Sequence, residues 1–110
     1  MRCTFETQGM NKEETKIEIQ NLTMVVRTAQ LEAEGKLTDA RAALSKAFTT
    51  AKCRETVAWA RELLGGNGIA AEYNVGRFFA DAEALYSYEG TYQMQNLIVG
   101  KAVTGFSAFL

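Results

Sequence analysis

An all-α fold is predicted from three features of the sequence. Apolar residues recur at the three- and four-residue spacings of helices, and no segment alternates with period two or contains a β-branched run. Glycine and asparagine mark the breaks, because the 110 residues contain no proline. The helical segments are long, long, short and long with short connections. This pattern predicts a four-helix bundle with up-down-up-down connectivity.

The first helix is predicted from about residue 12 to 34, after an irregular amino-terminal segment at residues 1–11. Residues 12–110 are then expected to form one helical domain. The predicted inner face of this helix consists of Ile17, Leu22, Val25, Val26 and Ala29. Gly35 is the predicted stop.

The second helix is predicted to begin after Thr38 or Asp39, either of which can cap it, and to end near Leu64. Its apolar stripe is formed by Ala40, Ala43, Leu44, Ala47, Phe48 and Ala51. Because most of these side chains are small, we expect a neighbouring helix to approach closely along this stripe.

The third helix is predicted at residues 73–85, and Thr91 is expected to cap the last one. The inward residues of the third helix are Val75, Phe78, Phe79, Ala82 and Leu85, and those of the fourth are Met94, Leu97, Ile98, Phe106 and Phe109. Trp59 and the phenylalanines at 78, 79, 106 and 109 are expected in the core. Between the two helices lies a short break at residues 87–90.

Composition excludes several classes of function. The formal net charge is −1, so no basic surface for nucleic acid is expected. With no histidine, Ser-His and Cys-His nucleophile pairs and His-ligated zinc are excluded, and Cys3 and Cys53 have no metal-ligand spacing. We expect no metal site and two free thiols. No apolar stretch suits a signal peptide or a membrane span, so we expect a soluble, intracellular chain.

The run Gly65-Gly66-Asn67-Gly68 has two interpretations. It can simply end the second helix and make a turn. Alternatively, its lack of side chains lets a ligand approach the backbone, and exposed N–H groups in such a loop can hold a phosphate. It is neither a Walker loop nor a dinucleotide fingerprint, since no Lys-Ser/Thr follows and no strand precedes it.

Glu89 also has two interpretations. An acidic residue just before a helix can complement the helix dipole. Alternatively, a carboxylate held in a loop between rigid helices can act as a general base if it lies in an apolar cleft. Gly90 would then let a ligand come close, and Tyr86, Tyr88 and Tyr92 could form a pocket wall.

Several motifs together resemble the end of acyl-CoA dehydrogenases. They are residues 60–69 (ARELLGGNGI), Tyr88-Glu89-Gly90-Thr91, residues 97–101 (LIVGK) and Thr104-Gly105. The order and spacing are most similar to the glutaryl-CoA dehydrogenase branch, with short-chain acyl-CoA oxidases nearby. The similarity is strong over residues 43–109 and weak before residue 38.

The resemblance implies a function for several residues. Members of this family bind FAD and oxidise acyl-CoA thioesters to 2-enoyl-CoA products. Glu89 matches the catalytic base, and Tyr88 and Gly90 match positions beside the substrate. Residues matching FAD-contacting positions are Gly65, Gly66, Asn67, Gly68, Thr91 and Gln93.

The resemblance covers only the carboxy-terminal helical domain. It implies that an amino-terminal helical domain and a β-domain complete the enzyme, that the enzyme is a tetramer or dimer, and that the chain alone is inactive. The implied location is the cytoplasm in bacteria, or the mitochondrial matrix or peroxisome in eukaryotes. Three alternatives stay open: a free-standing association domain without redox activity, part of an acyl-CoA oxidase, and an acyl-CoA carrier.

Overall fold

Residues 4–109 fold into four α-helices, as the sequence predicts. A computed structural model describes the backbone of residues 4–109 and the side chains of residues 15–109. The helices are α1 (Thr4–Ala33), α2 (Asp39–Leu63), α3 (Val75–Ser87) and α4 (Tyr92–Thr104), with 3₁₀ turns at Gly65–Gly68 and Ala71–Tyr73. Residues 4–109 contain no strand, which confirms the all-α prediction.

Helix α2 lies at the centre and contacts each of the other three helices. Its alanine stripe explains this position, because Ala43 and Ala47 are each only 3% exposed and Ala82 of α3 is 2% exposed. Small side chains at these contacts bring the helix backbones close together. The predicted close approach along the alanine stripe is therefore confirmed, although Leu44 within it is 48% exposed.

Both ends of α2 form as the sequence predicts. The Thr38 hydroxyl oxygen accepts a hydrogen bond from Arg41 N–H, so Thr38 rather than Asp39 is the cap. At the other end, Gly65 adopts a left-handed φ of 56°, a conformation that is strained for residues with a β-carbon. Helix α3 then runs antiparallel to α2, because Glu83 contacts Arg54 and Tyr88 contacts Lys46.

The first helix is longer than predicted and uses a different face. It begins at Thr4, so the prediction that residues 4–11 are irregular is wrong; residues 1–3, including Cys3, lie outside the described part. A single glycine inside a helix, here Gly9, costs only about 1 kcal/mol and does not end it.

Among residues 15–33 of α1, the buried residues are Ile17, which belongs to the predicted inner face, and Leu31. By contrast, Leu22, Val25 and Val26 of the predicted inner face are 62%, 53% and 46% exposed. The spacing of apolar residues could not distinguish the two faces, because both carry them.

Helices α3 and α4 also differ from the prediction at their ends. Helix α3 begins two residues later than expected, after Asn74 with a left-handed φ of 58°. Helix α4 ends at Thr104, because Gly105 adopts a φ of 79°. Phe106 and Phe109 therefore lie beyond the helix and are 84% and 44% exposed, which corrects their assignment to the core.

Much apolar surface stays uncovered in this chain. Its accessible surface is 8195 Å², against about 6,000 Å² for a monomer of this mass. The radius of gyration is 17.1 Å, against about 13 Å for a compact domain of this length. Of the predicted core phenylalanines, Phe78 is 49% exposed, whereas Phe79 and Trp59 are half-buried. No helix within residues 4–109 is long and apolar enough to cross a membrane.

Candidate functional site: the loop between α3 and α4

Glu89 lies in a short loop held between two helix termini. At the end of α3, Tyr88 N–H donates to the carbonyl of Ala84 at 2.9 Å. At the start of α4, the Thr91 hydroxyl oxygen accepts from Met94 N–H at 3.3 Å, so the predicted N-cap forms. Both flanks of Glu89 are therefore fixed by helix-terminal hydrogen bonds.

The loop backbone takes a conformation that side-chain-bearing residues rarely adopt. Glu89 has a φ of 54° and Gly90 a φ of 88°. For a residue with a β-carbon, the left-handed region costs about 1–2 kcal/mol. Because such strain persists only where neighbouring groups enforce it, the contacts of this loop are informative.

Gln95 of α4 provides the first of these contacts. Its side chain is 8% exposed, and its Nε2 donates to the carbonyls of Glu89 at 3.1 Å and Gly90 at 3.2 Å. A β-carbon at position 90 would lie 2.6 Å from this nitrogen. The left-handed φ of 88° therefore favours glycine here independently of any ligand, and an added β-carbon would also displace the Gln95 amide.

Lys46 of α2 provides the second contact. Its ammonium donates to the carbonyls of Tyr88 and Gly90, and lies 5.7 Å from the centre of the Tyr88 ring. The two donors reach the loop from different helices. Together they engage the carbonyls on both sides of Glu89 and that of Glu89 itself.

The side chains that would meet a ligand remain accessible. Glu89, Thr91 and Gln93 are exposed, and Tyr88 is 51% exposed. Among residues 15–109, no side chain forms an ion pair or hydrogen bond with the Glu89 carboxylate. The arrangement presents an unpaired carboxylate on a fixed backbone, which is a geometry suited to accepting a proton.

The Gly65–Gly68 segment is a 3₁₀ turn rather than an open loop. Asn67 N–H donates to the carbonyl of Leu64 at 3.1 Å, as expected for a helix stop. A β-carbon at Gly68 would overlap the Arg61 carbonyl oxygen, whereas one at Gly66 would have no atom within 4 Å. Gly66, which also lacks a positive φ, is therefore the glycine whose small size the chain itself does not explain.

The predicted site residues form two separate groups. The loop around Glu89 contacts Lys46 in the first half of α2, while the Gly65–Gly68 turn follows its end. At 1.5 Å per helical residue, the nineteen positions between Lys46 and Gly65 correspond to roughly 28 Å. One copy of this chain therefore does not bring the two groups together.

The tyrosines near the loop serve mainly to join helices. The rings of Tyr86 and Tyr92 stack with centroids 5.3 Å apart. The guanidinium of Arg54 lies 4.2 Å from the Tyr86 ring and donates to Glu83 at 2.6 Å. The hydrogen bond to Glu83 raises the pKa of Arg54 above its usual value, so the cation is kept at all ordinary pH values. This stack links α2, α3 and α4, and only Tyr88 is left as a candidate ligand contact.

No metal-binding cluster of three or more His, Cys, Asp or Glu residues is found in the part of the chain that the structure describes. Within the same part, Cys53 is a half-buried free thiol.

Comparison with known proteins decides the family. Residues 11–104 match the acyl-CoA dehydrogenase C-terminal domain. This chain belongs to the acyl-CoA dehydrogenase family. The family resemblance inferred from the Tyr-Glu-Gly-Thr and Gly-Gly-Asn-Gly motifs is thereby confirmed.

Two curated proteins are similar over most of this acyl-CoA dehydrogenase C-terminal domain. Subunit CarC of the caffeyl-CoA reductase–Etf complex of Acetobacterium woodii is 33% identical over 85 residues, covering 77% of this chain and 22% of that protein. The short-chain specific acyl-CoA dehydrogenase of Megasphaera elsdenii is 28% identical over 102 residues, covering 92% of this chain and 27% of that protein.

A solved structure shows the same architecture. Glutaryl-CoA dehydrogenase from Mycobacterium smegmatis superposes with a TM-score of 0.90 at 30% identity, over 97% of this chain and 28% of that one. The similarity to glutaryl-CoA dehydrogenases indicated by the sequence is thus found in the fold. The chain spans about a quarter of the length of the relatives it matches.

Lys46 and Gln95 of this acyl-CoA dehydrogenase domain are not among the site residues predicted from the sequence. The available signal for Lys46 was its position beside Ala43 and Ala47, where a cation on the close-packed stripe of α2 needs acceptors nearby. The signal for Gln95 was only an amide in the first turns of α4, a feature that it shares with Gln93 and Asn96. Neither signal identifies the hydrogen-bond partner, because the partners are backbone carbonyls, which every residue carries.

Proposed function

We propose that this chain is the carboxy-terminal domain of an FAD-dependent acyl-CoA dehydrogenase and that Glu89 is its catalytic base. The observation that carries the proposal is the Glu89 carboxylate, unpaired among the described residues, on a backbone forced into a left-handed conformation. Strained backbone of this kind concentrates at functional sites. The alternative interpretation, in which Glu89 only complements the dipole of α4, does not require a strained backbone.

In the proposed reaction, Glu89 accepts the proton from the carbon next to an acyl-CoA thioester. Bound FAD supplies the acceptor for the hydride that leaves the adjacent carbon. A carbon acid transfers its proton slowly, so the base must be held at the right place and shielded from water. Tyr88, half exposed beside Glu89, offers an apolar ring for that shielding, and Gly90 leaves room on the substrate side.

Other residues of the loop and the following helix fit a flavin contact. The Thr91 hydroxyl accepts from Met94 N–H, which leaves its own O–H free to donate to a bound group. Gln93 is exposed in the first turn of α4 and carries both a donor and an acceptor. We therefore assign Thr91 and Gln93 to contacts with the flavin cofactor.

The Gly65–Gly68 turn is proposed to contact the FAD diphosphate of another copy. Gly66 is the best support, because the chain gives no internal reason for a glycine there. The separation of roughly 28 Å from the Glu89 loop argues that the two groups serve different active sites. This requires a homo-oligomer in which neighbouring copies share each flavin.

A chimera tests the proposal. This chain would replace the matching segment of the Megasphaera elsdenii enzyme, with flavin content read from visible absorption and acyl-CoA oxidation from a dye-coupled assay. We expect Glu89→Gln to retain flavin but to lower the turnover at least about 10³-fold, because the amide cannot accept the proton. Glu72→Gln, at an exposed glutamate in the turn before α3, is the matched control.

Activity that survives Glu89→Gln in a flavin-loaded chimera would contradict the assignment of the base. The unmodified chain, incubated with FAD and desalted, is expected to be colourless and inactive, because most of the flavin site lies in other domains. Turnover by the chain alone would disprove that part of the proposal.

A second function, as an association domain, is favoured by one observation. The accessible surface is 8195 Å², and large apolar side chains are exposed on several helices. In that case the chain binds relatives through its helical faces without redox chemistry, and Glu89→Gln changes nothing in any assembled complex. The same chimera distinguishes the two functions.

A further inference from the structure

Three consecutive carbonyls around Glu89 each accept a hydrogen bond from a side chain outside the loop. Lys46 donates to Tyr88 and Gly90, and Gln95 donates to Glu89 and Gly90. Gly90 receives both donors. A loop of this length would normally leave such carbonyls to water.

Lys46 and Gln95 differ as hydrogen-bond donors, and Lys46 makes the larger contribution to holding the loop. An ammonium has three N–H donors and no acceptor, so it suits a cluster of carbonyls. A cation also interacts favourably with the carbonyl end of a helix, and Tyr88 caps the carboxyl end of α3. Lys46 provides that charge from α2, while the last turn of α3 contains no basic residue.

The described part of the chain provides no anionic partner for Lys46. No carboxylate among residues 15–109 forms an ion pair with its ammonium. Its side chain is half-buried beside the alanine stripe, where an unpaired charge would be unfavourable. The loop carbonyls therefore compensate the charge of the Lys46 ammonium. The ammonium in turn fixes the position of the loop.

We propose that Lys46 is a positioning residue for the Glu89 loop, enforcing its left-handed backbone through the carbonyls of Tyr88 and Gly90. Lys46 acts through the main chain and does not touch the substrate. Its catalytic consequence rests on the proposed function of Glu89, whereas its effect on the loop conformation does not.

The first test uses the ¹⁵N-labelled chain and needs neither flavin nor substrate. A left-handed φ at Glu89 gives a strong NOE between its own amide and Hα protons. We expect Lys46→Met to weaken this NOE and broaden the amide signals of Glu89 and Gly90. Lys46→Arg should restore part of the signal, and the control Lys52→Met, on the same helix and paired with Glu55, should leave it unchanged.

A measurement on the unmodified chain covers the case in which Lys46→Met does not fold. The ammonium protons of Lys46 should exchange with water at least about tenfold more slowly than those of Lys52, because Lys46 is bound to two carbonyls and Lys52 to a single carboxylate. Equal exchange, or a normal Glu89 NOE in folded Lys46→Met, overturns the proposal.

The kinetic test uses the flavin-loaded chimera. Misplacement of a base by about 1 Å lowers rates by about 10²-fold, so Lys46→Met should lower kcat by that order while KM changes less than about threefold. If Glu89→Gln proves neutral, the proposed function of Glu89 is rejected. The NOE measurement still tests, independently of that result, whether Lys46 holds the loop. An unchanged kcat in Lys46→Met, with Glu89→Gln inactive, rejects positioning by Lys46.

Discussion

Two glycines of one turn should respond in opposite ways to the same substitution. A β-carbon at Gly68 would overlap the carbonyl oxygen of Arg61 and lie 3.0 Å from its carbon and 3.1 Å from its Cα. These are backbone atoms of α2, so no side chain can rotate away. At Gly66 the same β-carbon would meet nothing within 4 Å.

The geometry sets the size of each effect. To reach ordinary contact, Gly68→Ala must separate the turn from α2 by about 1 Å, and overpacking of this kind costs about 1–3 kcal/mol. Each kcal/mol lowers the Tm of a domain near this size by about 4–8 °C. Gly66→Ala restricts the unfolded chain without strain, so it should change stability by less than about 1 kcal/mol and in the stabilising direction.

Thermal unfolding of the chain, followed by circular dichroism at 222 nm, measures both variants under identical conditions. We expect a clear fall in Tm for Gly68→Ala and none for Gly66→Ala. A Gly68→Ala protein that melts with the unmodified chain would show that the turn does not pack against Arg61 as described. Equal destabilisation of both variants would refute the distinction between them.

The remaining predictions concern the cap, the helix-joining stack and the flavin contact. Thr91→Ala should destabilise the chain by about 1 kcal/mol in urea unfolding, through loss of the N-cap, whereas Thr91→Ser should not. Arg54→Met should cost about 1 kcal/mol by loss of the Tyr86 and Glu83 contacts, and a double-mutant cycle with Glu83→Gln should show a coupling that decreases with salt. In the chimera, Gly66→Ala should weaken FAD binding at least about tenfold although it does not destabilise the domain; undiminished binding would contradict a diphosphate contact there.

The helix order, both N-caps and the end of α2 were predictable because they depend on neighbours in sequence. Thr38 and Thr91 cap α2 and α4 by bonding N–H groups three residues onward, and Gly65 ends α2 by its own φ. The family was equally predictable, because its motifs lie in short contiguous segments. These features involve little tertiary information.

Other features depended on contacts between distant residues. The inner face of α1 was predicted correctly at Ile17 but wrongly at Leu22, Val25 and Val26, because apolar side chains lie on both faces and only packing selects one. The role of Gly90 was attributed to a ligand, whereas its left-handed φ of 88° already favours glycine within the chain. The contact of Lys46 with the loop joins residues more than forty positions apart and leaves no pattern in the sequence.

The support of the Glu89 loop has a consequence for how such a domain can evolve. Lys46 and Gln95 bind only main-chain carbonyls there, and these atoms are the same whichever amino acid occupies position 89. The loop can therefore keep its shape when the glutamate is exchanged, most easily for asparagine or glycine, which tolerate a left-handed φ. Mutation at this one position can change or remove the reactive group while the loop and its supporting contacts are retained. Position 89 is therefore a site where the chemistry of the domain can diverge without a change of fold.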